Sequence, residues 1–127
     1  MHHVFVYGTL RKKQTNAHYM QSAICIADKA WTYGELFDTN EGYPAMTYSN
    51  EEKVYGEVYE VNDDILRKLD ELEEYTGNAE TDLYERITQI AFDGDREIEA
   101  YVYIAQDKNM LKKVIISGDW LKYQQGK

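Results

Sequence analysis

The chain has little of several things, and each shortage excludes something. It contains one cysteine, Cys25, so no internal disulfide can form, as in proteins of a reducing compartment. Proline occurs once, at Pro44, and no run of about 18 apolar residues appears, so no spanning helix is expected. No basic segment leading into a long apolar run opens the chain, which argues against a secretory leader and for a cytoplasmic protein. Basic residues number 14 against 23 acidic ones, a net charge of −9, which disfavours a phosphate-tracking surface and hence nucleic acid as a partner. Three histidines and a lone cysteine lack the spacing of a metal site, and neither metal nor cofactor is expected.

What is present fits one domain of 127 residues, unusually rich in tyrosine, with 12. Tyrosine suits half-buried strands and pocket walls, where an apolar ring carries a polar tip. His3 to Tyr7 reads as a strand, Arg11 to Lys13 as a solvated basic stretch, and Gln14 to Ala23 as a short helix. Further strands are expected from Ile24 to Thr39 with a bend at Gly34, over Ala45 to Tyr48, and over Val54 to Val61. Asn62 or Asp63 caps a helix running to about Glu74, and Thr76 to Asp82 is a polar loop. Tyr84 to Phe92 and Glu97 to Ala105 form a hairpin about Asp93-Gly94-Asp95, and a short helix over Ser117 to Tyr123 closes the chain. About six strands and few helices in so short a chain predict an α+β domain, its antiparallel or mixed sheet curling into a small β-barrel with flanking helices.

Two places stand out chemically. On a helical wheel with about 100° per residue, Ile65, Leu66, Leu69 and Leu72 define a buried stripe. Glu73 falls inside that stripe, Asp70 on its flank, and Glu71 and Glu74 outside it. A carboxyl directed into a core without partners has its pKa raised toward the range of a general base. Fraying of the helix before Glu73, or a structural ion pair with Arg86, would each cancel that reading. The second place is Gly8, directly after the first strand, where the chain can come close to a ligand and offer it N–H groups, or simply turn. Cys25, between Ile24 and Ile26, reads as a core residue, and His18 has no Ser or Cys motif to serve. Tyr101 and Tyr103 share one strand face that is able to line a cavity.

Taken in order, Val4-Phe5-Val6-Tyr7-Gly8-Thr9-Leu10-Arg11, Gly42-Tyr43-Pro44-Ala45-Met46, Val54 to Tyr59, Leu69-Asp70-Glu71-Leu72-Glu73, Tyr84-Glu85-Arg86 and Ala100 to Tyr103 resemble the gamma-glutamylcyclotransferase-like, or AIG2-like, family across nearly the whole chain. The resemblance implies a small mixed barrel around one pocket and release of 5-oxoproline from a small-molecule gamma-glutamyl amide. In that pocket Tyr7, Gly8, Thr9 and Leu10 would bind the glutamyl group, and Glu73 would be the acid-base residue. Tyr43, Tyr84, Arg86 and Tyr103 are further substrate-binding or supporting candidates by their place in the pattern. The leaving amine, the oligomeric state, and a non-catalytic relative that only binds a small carboxylate or serves as an interaction module remain open at this level. The loops Arg11 to Asn16 and Thr76 to Asp82 are expected to wall the pocket.

Overall fold

The computed structural model describes residues 1–78 and 80–126. Strands β1 (His2–Val6), β2 (Ile24–Tyr33), β5 (Lys53–Val61), β6 (Tyr84–Asp93) and β7 (Arg96–Ala105) close into a barrel in the order β1-β5-β2-β6-β7. All pairs are antiparallel except β1 with β7, which is parallel at Val4 and Tyr101. A second, three-stranded sheet has the order β4-β3-β8, formed by β3 (Glu35–Asp38), β4 (Pro44–Thr47) and β8 (Lys113–Val114). Helices α1 (Asp63–Leu72) and α2 (Trp120–Gln125) flank the barrel. Among the described residues no helix is long and apolar enough to cross a membrane.

Alternation along the strands separates two cores. Phe5 and Tyr7 of the first strand segment and Ile98, Ala100 and Val102 of β7 join the larger cluster, which also holds Val58 and Trp120. Val4, Val6, Tyr103 and Ala105, on the opposite face of the same strands, join Ile65, Leu66 and Leu69 of α1. Period-two side-chain placement makes one face line the barrel and the other receive the helix. Strands β1 and β5 approach so closely at Gly56 that a Cβ there would strike the Val6 carbonyl, so only glycine fits.

Helix α1 is capped by Asn62, whose side chain accepts from the Ile65 N–H at 2.8 Å. It ends two residues sooner than the sequence pattern suggests, and it does not fray. Tyr75 N–H donates to the Asp70 carbonyl at 2.9 Å and Glu74 N–H to that of Glu71 at 3.2 Å, a Schellman closure with Glu73 as its C-cap.

Three expectations are corrected. The helix expected over Gln14 to Ala23 is only a 3₁₀ turn, Ala17–Met20, because Lys13 at φ 66° and a chain of i to i+3 bonds prevent an α-helical ladder. Arg11 is buried rather than solvated: its Nε donates to Glu57 at 3.0 Å and its Nη1 to Asp119, the N-cap of α2, at 3.2 Å. Pro44 opens β4, one residue before the strand expected from Ala45, a position where its missing N–H costs no internal ladder bond. In the loop over 76–82, Ala79 lies outside the described residues; Thr76 and Gly77 N–H both donate to Asp82 at 2.9 Å and close the loop on itself.

Candidate active site

The end of β1, the loop after it, the 41–44 segment and the end of α1 enclose a cavity of about 370 Å³. Tyr7 leaves β1 with its ring buried, and its hydroxyl donates to the Tyr103 carbonyl at 2.7 Å. Gly8 follows without a positive φ; what it needs is room, since a Cβ would stand 2.6 Å from the Pro44 ring. Its value here is close packing against Pro44, a role the sequence did not reveal.

The loop is held by its own hydrogen bonds. Arg11 N–H returns to the Gly8 carbonyl at 3.0 Å, and Asn16 binds Thr9 twice, through its N–H to the carbonyl at 2.8 Å and its amide to Oγ1 at 3.0 Å. The N–H groups of Gly8, Thr9 and Leu10 have no acceptor among the described residues. Three successive free donors beside a cavity form a ready site for an anionic oxygen.

Glu73 lines the same cavity, half-buried, its carboxyl without a hydrogen-bond or ionic partner among the described residues. Burial pushes its carboxyl up to about 7. Arg86, considered above as a structural partner for Glu73, instead donates to Asp70 at 2.6 Å and lies against the rings of Tyr75 and Tyr101.

Asp70 is the residue that the wheel put on the flank and left without a role. Its other oxygen accepts the Tyr103 hydroxyl at 2.6 Å, so it joins α1 to both β6 and β7 directly behind the cavity wall. The hydroxyls of Tyr7 and Tyr103 thus spend their protons on protein acceptors; that of Tyr84 points to the Pro44 carbonyl at 3.5 Å, a long bond. Burial raises the pKa of all three well above the ordinary phenol value, keeping them neutral. With their protons committed, the Tyr7 and Tyr103 hydroxyls can offer a ligand only oxygen lone pairs.

Of the residues singled out from the sequence, Glu73, the run Tyr7 to Leu10, Tyr43, Tyr84 and Tyr103 all line this one cavity, and Arg86 does not. The loop of residues 11–16 contributes Thr15 and Asn16 as expected, whereas no described residue of 76–82 lines it; Glu41, Gly42 and Tyr43 supply that wall. Among the described residues no three His, Cys, Asp or Glu side chains are grouped to hold a metal ion. The arrangement brings free N–H donors suited to an anion and a carboxyl pushed up to about 7 into one cavity.

The chain is 37% identical over 126 residues to gamma-L-glutamyl-butirosin B gamma-glutamyl cyclotransferase of Niallia circulans, covering 98% of this chain and 78% of that one. It is 32% identical over 118 residues to the gamma-glutamylcyclotransferase family protein YtfP of Escherichia coli, covering 93% and 95%. The crystal structure of YkqA from Bacillus subtilis superimposes with a TM-score of 0.80 at 31% identity, covering 98% of this chain and 41% of that longer one. With residues 4–122 also matching the family model described as gamma-glutamyl cyclotransferase, AIG2-like, the chain belongs to the gamma-glutamyl cyclotransferase, AIG2-like family.

Proposed function

We propose that this protein releases 5-oxoproline from a gamma-glutamyl amide, with Glu73 as general acid and base. The observation that carries the reading is an unpartnered carboxyl pushed up to about 7 on the wall of a cavity that it shares with three free N–H groups. The substrate's own α-amine attacks its γ-carbonyl carbon; a new C–N bond closes the lactam and the original amide C–N bond breaks. Nucleophile and electrophile already share one molecule, so the protein's task is to fold the glutamyl chain back on itself, and effective molarity supplies much of the rate.

Glu73 accepts the proton that the attacking amine loses and returns it to the departing amine, leaving the carboxyl as it began. A pKa near the operating pH suits both halves of that exchange. The N–H groups of Gly8, Thr9 and Leu10 bind the α-carboxylate or the oxyanion that develops at the γ-carbon. Lone pairs on Tyr7, Tyr84 and Tyr103 receive the α-amine. The name of the Niallia circulans relative, which refers to a gamma-glutamyl group on butirosin B, supports a gamma-glutamyl amide as the substrate class.

The test is incubation with a panel of gamma-glutamyl amides, following 5-oxoproline by mass spectrometry, beside the Glu73→Gln variant. Glu73-dependent release is expected, with the variant slower by about 10²–10⁴-fold. Undiminished release by Glu73→Gln would sink the role of Glu73. Binding of gamma-glutamyl compounds without release would make the protein a binding module of the same fold.

A further inference from the structure

The cavity also bears on the leaving amine, an argument that rests on the cyclotransferase reading above. Three carboxyls line the cavity, Glu41, Glu73 and Glu74, and among the described residues no Lys, Arg or His does. Glu41 and Glu74 are exposed, hence at its mouth, whereas Glu73 is recessed. The cations nearest in sequence are engaged elsewhere or stand outside: Arg11 on Glu57 and Asp119, Arg86 on Asp70, and Lys12 and Lys13 off the lining.

The local structure fixes the backbone that carries both mouth carboxylates. The Thr39 hydroxyl donates to the Tyr43 carbonyl at 2.7 Å and accepts from Glu41 N–H at 3.2 Å, which shapes the loop that carries Glu41. Glu74 occupies the left-handed position of the Schellman closure, φ 54°, where glycine is the usual residue. Tyr43 stands among all three carboxyls: its hydroxyl is pushed up first by burial and then by Glu41, Glu73 and Glu74.

Cyclisation fixes the direction of the substrate. The α-amine must reach Glu73 inside, so the departing amine extends toward the mouth. There it meets two carboxylates with no ionic partner among the described residues. A leaving group carrying its own carboxylate is repelled; one carrying a second positive charge is attracted. We propose that this chain acts on gamma-glutamyl amides of amines bearing a second positive charge, with Glu41 and Glu74 as the residues that select them.

The experiment compares kcat/KM for three amides of similar length: those of 1,4-diaminobutane, n-pentylamine and 4-aminobutanoate, which are cationic, neutral and anionic at the far end. At low salt the cationic amide is expected to exceed the neutral one by about 5–20-fold, with the anionic one slowest, as for two screened charge pairs. About 0.5 M salt should close the gap in the native protein, which tests the charge argument without any substitution. The Glu41→Gln/Glu74→Gln double variant, its fold checked by thermal melting, should bring the cationic-to-neutral ratio within about twofold at low salt. Equal rates for the three amides, or a ratio that survives both salt and the double variant, would overturn the selectivity while leaving the cyclotransferase reading intact. No 5-oxoproline from any amide would overturn that reading and the selectivity with it.

Discussion

Two inward-facing glutamates flank the loop that leaves β1, and they have opposite fates. Glu57, opposite Val6 on β5, accepts from Arg11 Nε at 3.0 Å, Lys12 N–H at 3.0 Å and the Tyr59 hydroxyl at 2.9 Å. Glu73, in the cavity wall at the end of α1, has no partner among the described residues and is pushed up to about 7. The same side chain is a fully hydrogen-bonded anchor in one place and, in the proposed reaction, the proton carrier in the other. The difference lies in satisfaction: the Glu57 carboxylate has three donors, whereas that of Glu73 has none and is pushed up by burial. Glu57 also holds, through Arg11 and Lys12, the loop whose free N–H groups share the cavity with Glu73, so the structural acid helps to position the cavity that holds the other.

The sharpest way to break the comparison is to neutralise each acid in turn. Glu73→Gln should lose about 10²–10⁴-fold in 5-oxoproline release while keeping a cooperative thermal transition. Glu57→Ala should do the reverse in kind: it leaves Arg11 with only Asp119 and the Tyr55 carbonyl and removes the acceptor of Tyr59. A loss of about 3–5 kcal/mol is expected, read as a lower urea midpoint with unchanged slope. A Glu57→Ala protein as stable as the native one would mean that the buried network contributes nothing to the fold.

The pH dependence of stability separates the two acids more finely. Folded Glu73 keeps its proton up to about pH 7, whereas in the unfolded chain it titrates near the ordinary value of 4.5. Between these limits the folded state binds more protons, so the contribution of Glu73 to stability falls as pH rises through the window and is level above it. The span corresponds to about 3 kcal/mol. Glu73→Gln, which cannot ionise, should therefore be the more stable protein at pH 8 and match the native one near pH 4.5, by urea titrations at each pH. The same ionisation should make kcat/KM of the native protein rise with pH through about 7. Parallel stability curves for the two proteins would show that Glu73 titrates normally.

How much of this was legible in the sequence depends on how far the partners lie apart. The barrel strands announced themselves by alternation, and Glu73 by helical periodicity, which survives one residue beyond α1 because its φ of −86° and ψ of 4° stay near helical values. Arg11 looked no different from Lys12 and Lys13; only Glu57, 46 residues on, and Asp119, 108 residues on, distinguish it. Asp70 was hidden for the same reason, since Arg86 and Tyr103 reach it from β6 and β7. Strand β8, two residues long, has no periodicity to detect. A buried arginine three residues after a glycine turn has no local signature, whereas an acid in an apolar stripe does. The roles assigned to Tyr43, Tyr84 and Tyr103 came from family resemblance, because nothing local separates a pocket tyrosine from a packing one.

The smallest predicted effect concerns Glu74, the neighbour of Glu73 in the closure of α1. A non-glycine residue at positive φ costs about 1–3 kcal/mol, and glycine relieves that cost at the price of some unfolded-state entropy. Glu74→Gly should therefore gain about 0.5–1 kcal/mol in urea titrations, while Glu74→Gln, which keeps the strained Cβ, should gain almost none. Comparing the two variants divides backbone strain from charge, because both lose the carboxylate and only one loses the strain. If Glu74→Gly is stabilised yet shows the same loss of preference for a cationic leaving amine as Glu74→Gln, the glutamate is kept against the local conformational preference for what its charge does at the mouth. That would place it beside Glu73 as a second acid that the fold holds at a cost, the one for proton transfer and the other for choice of substrate.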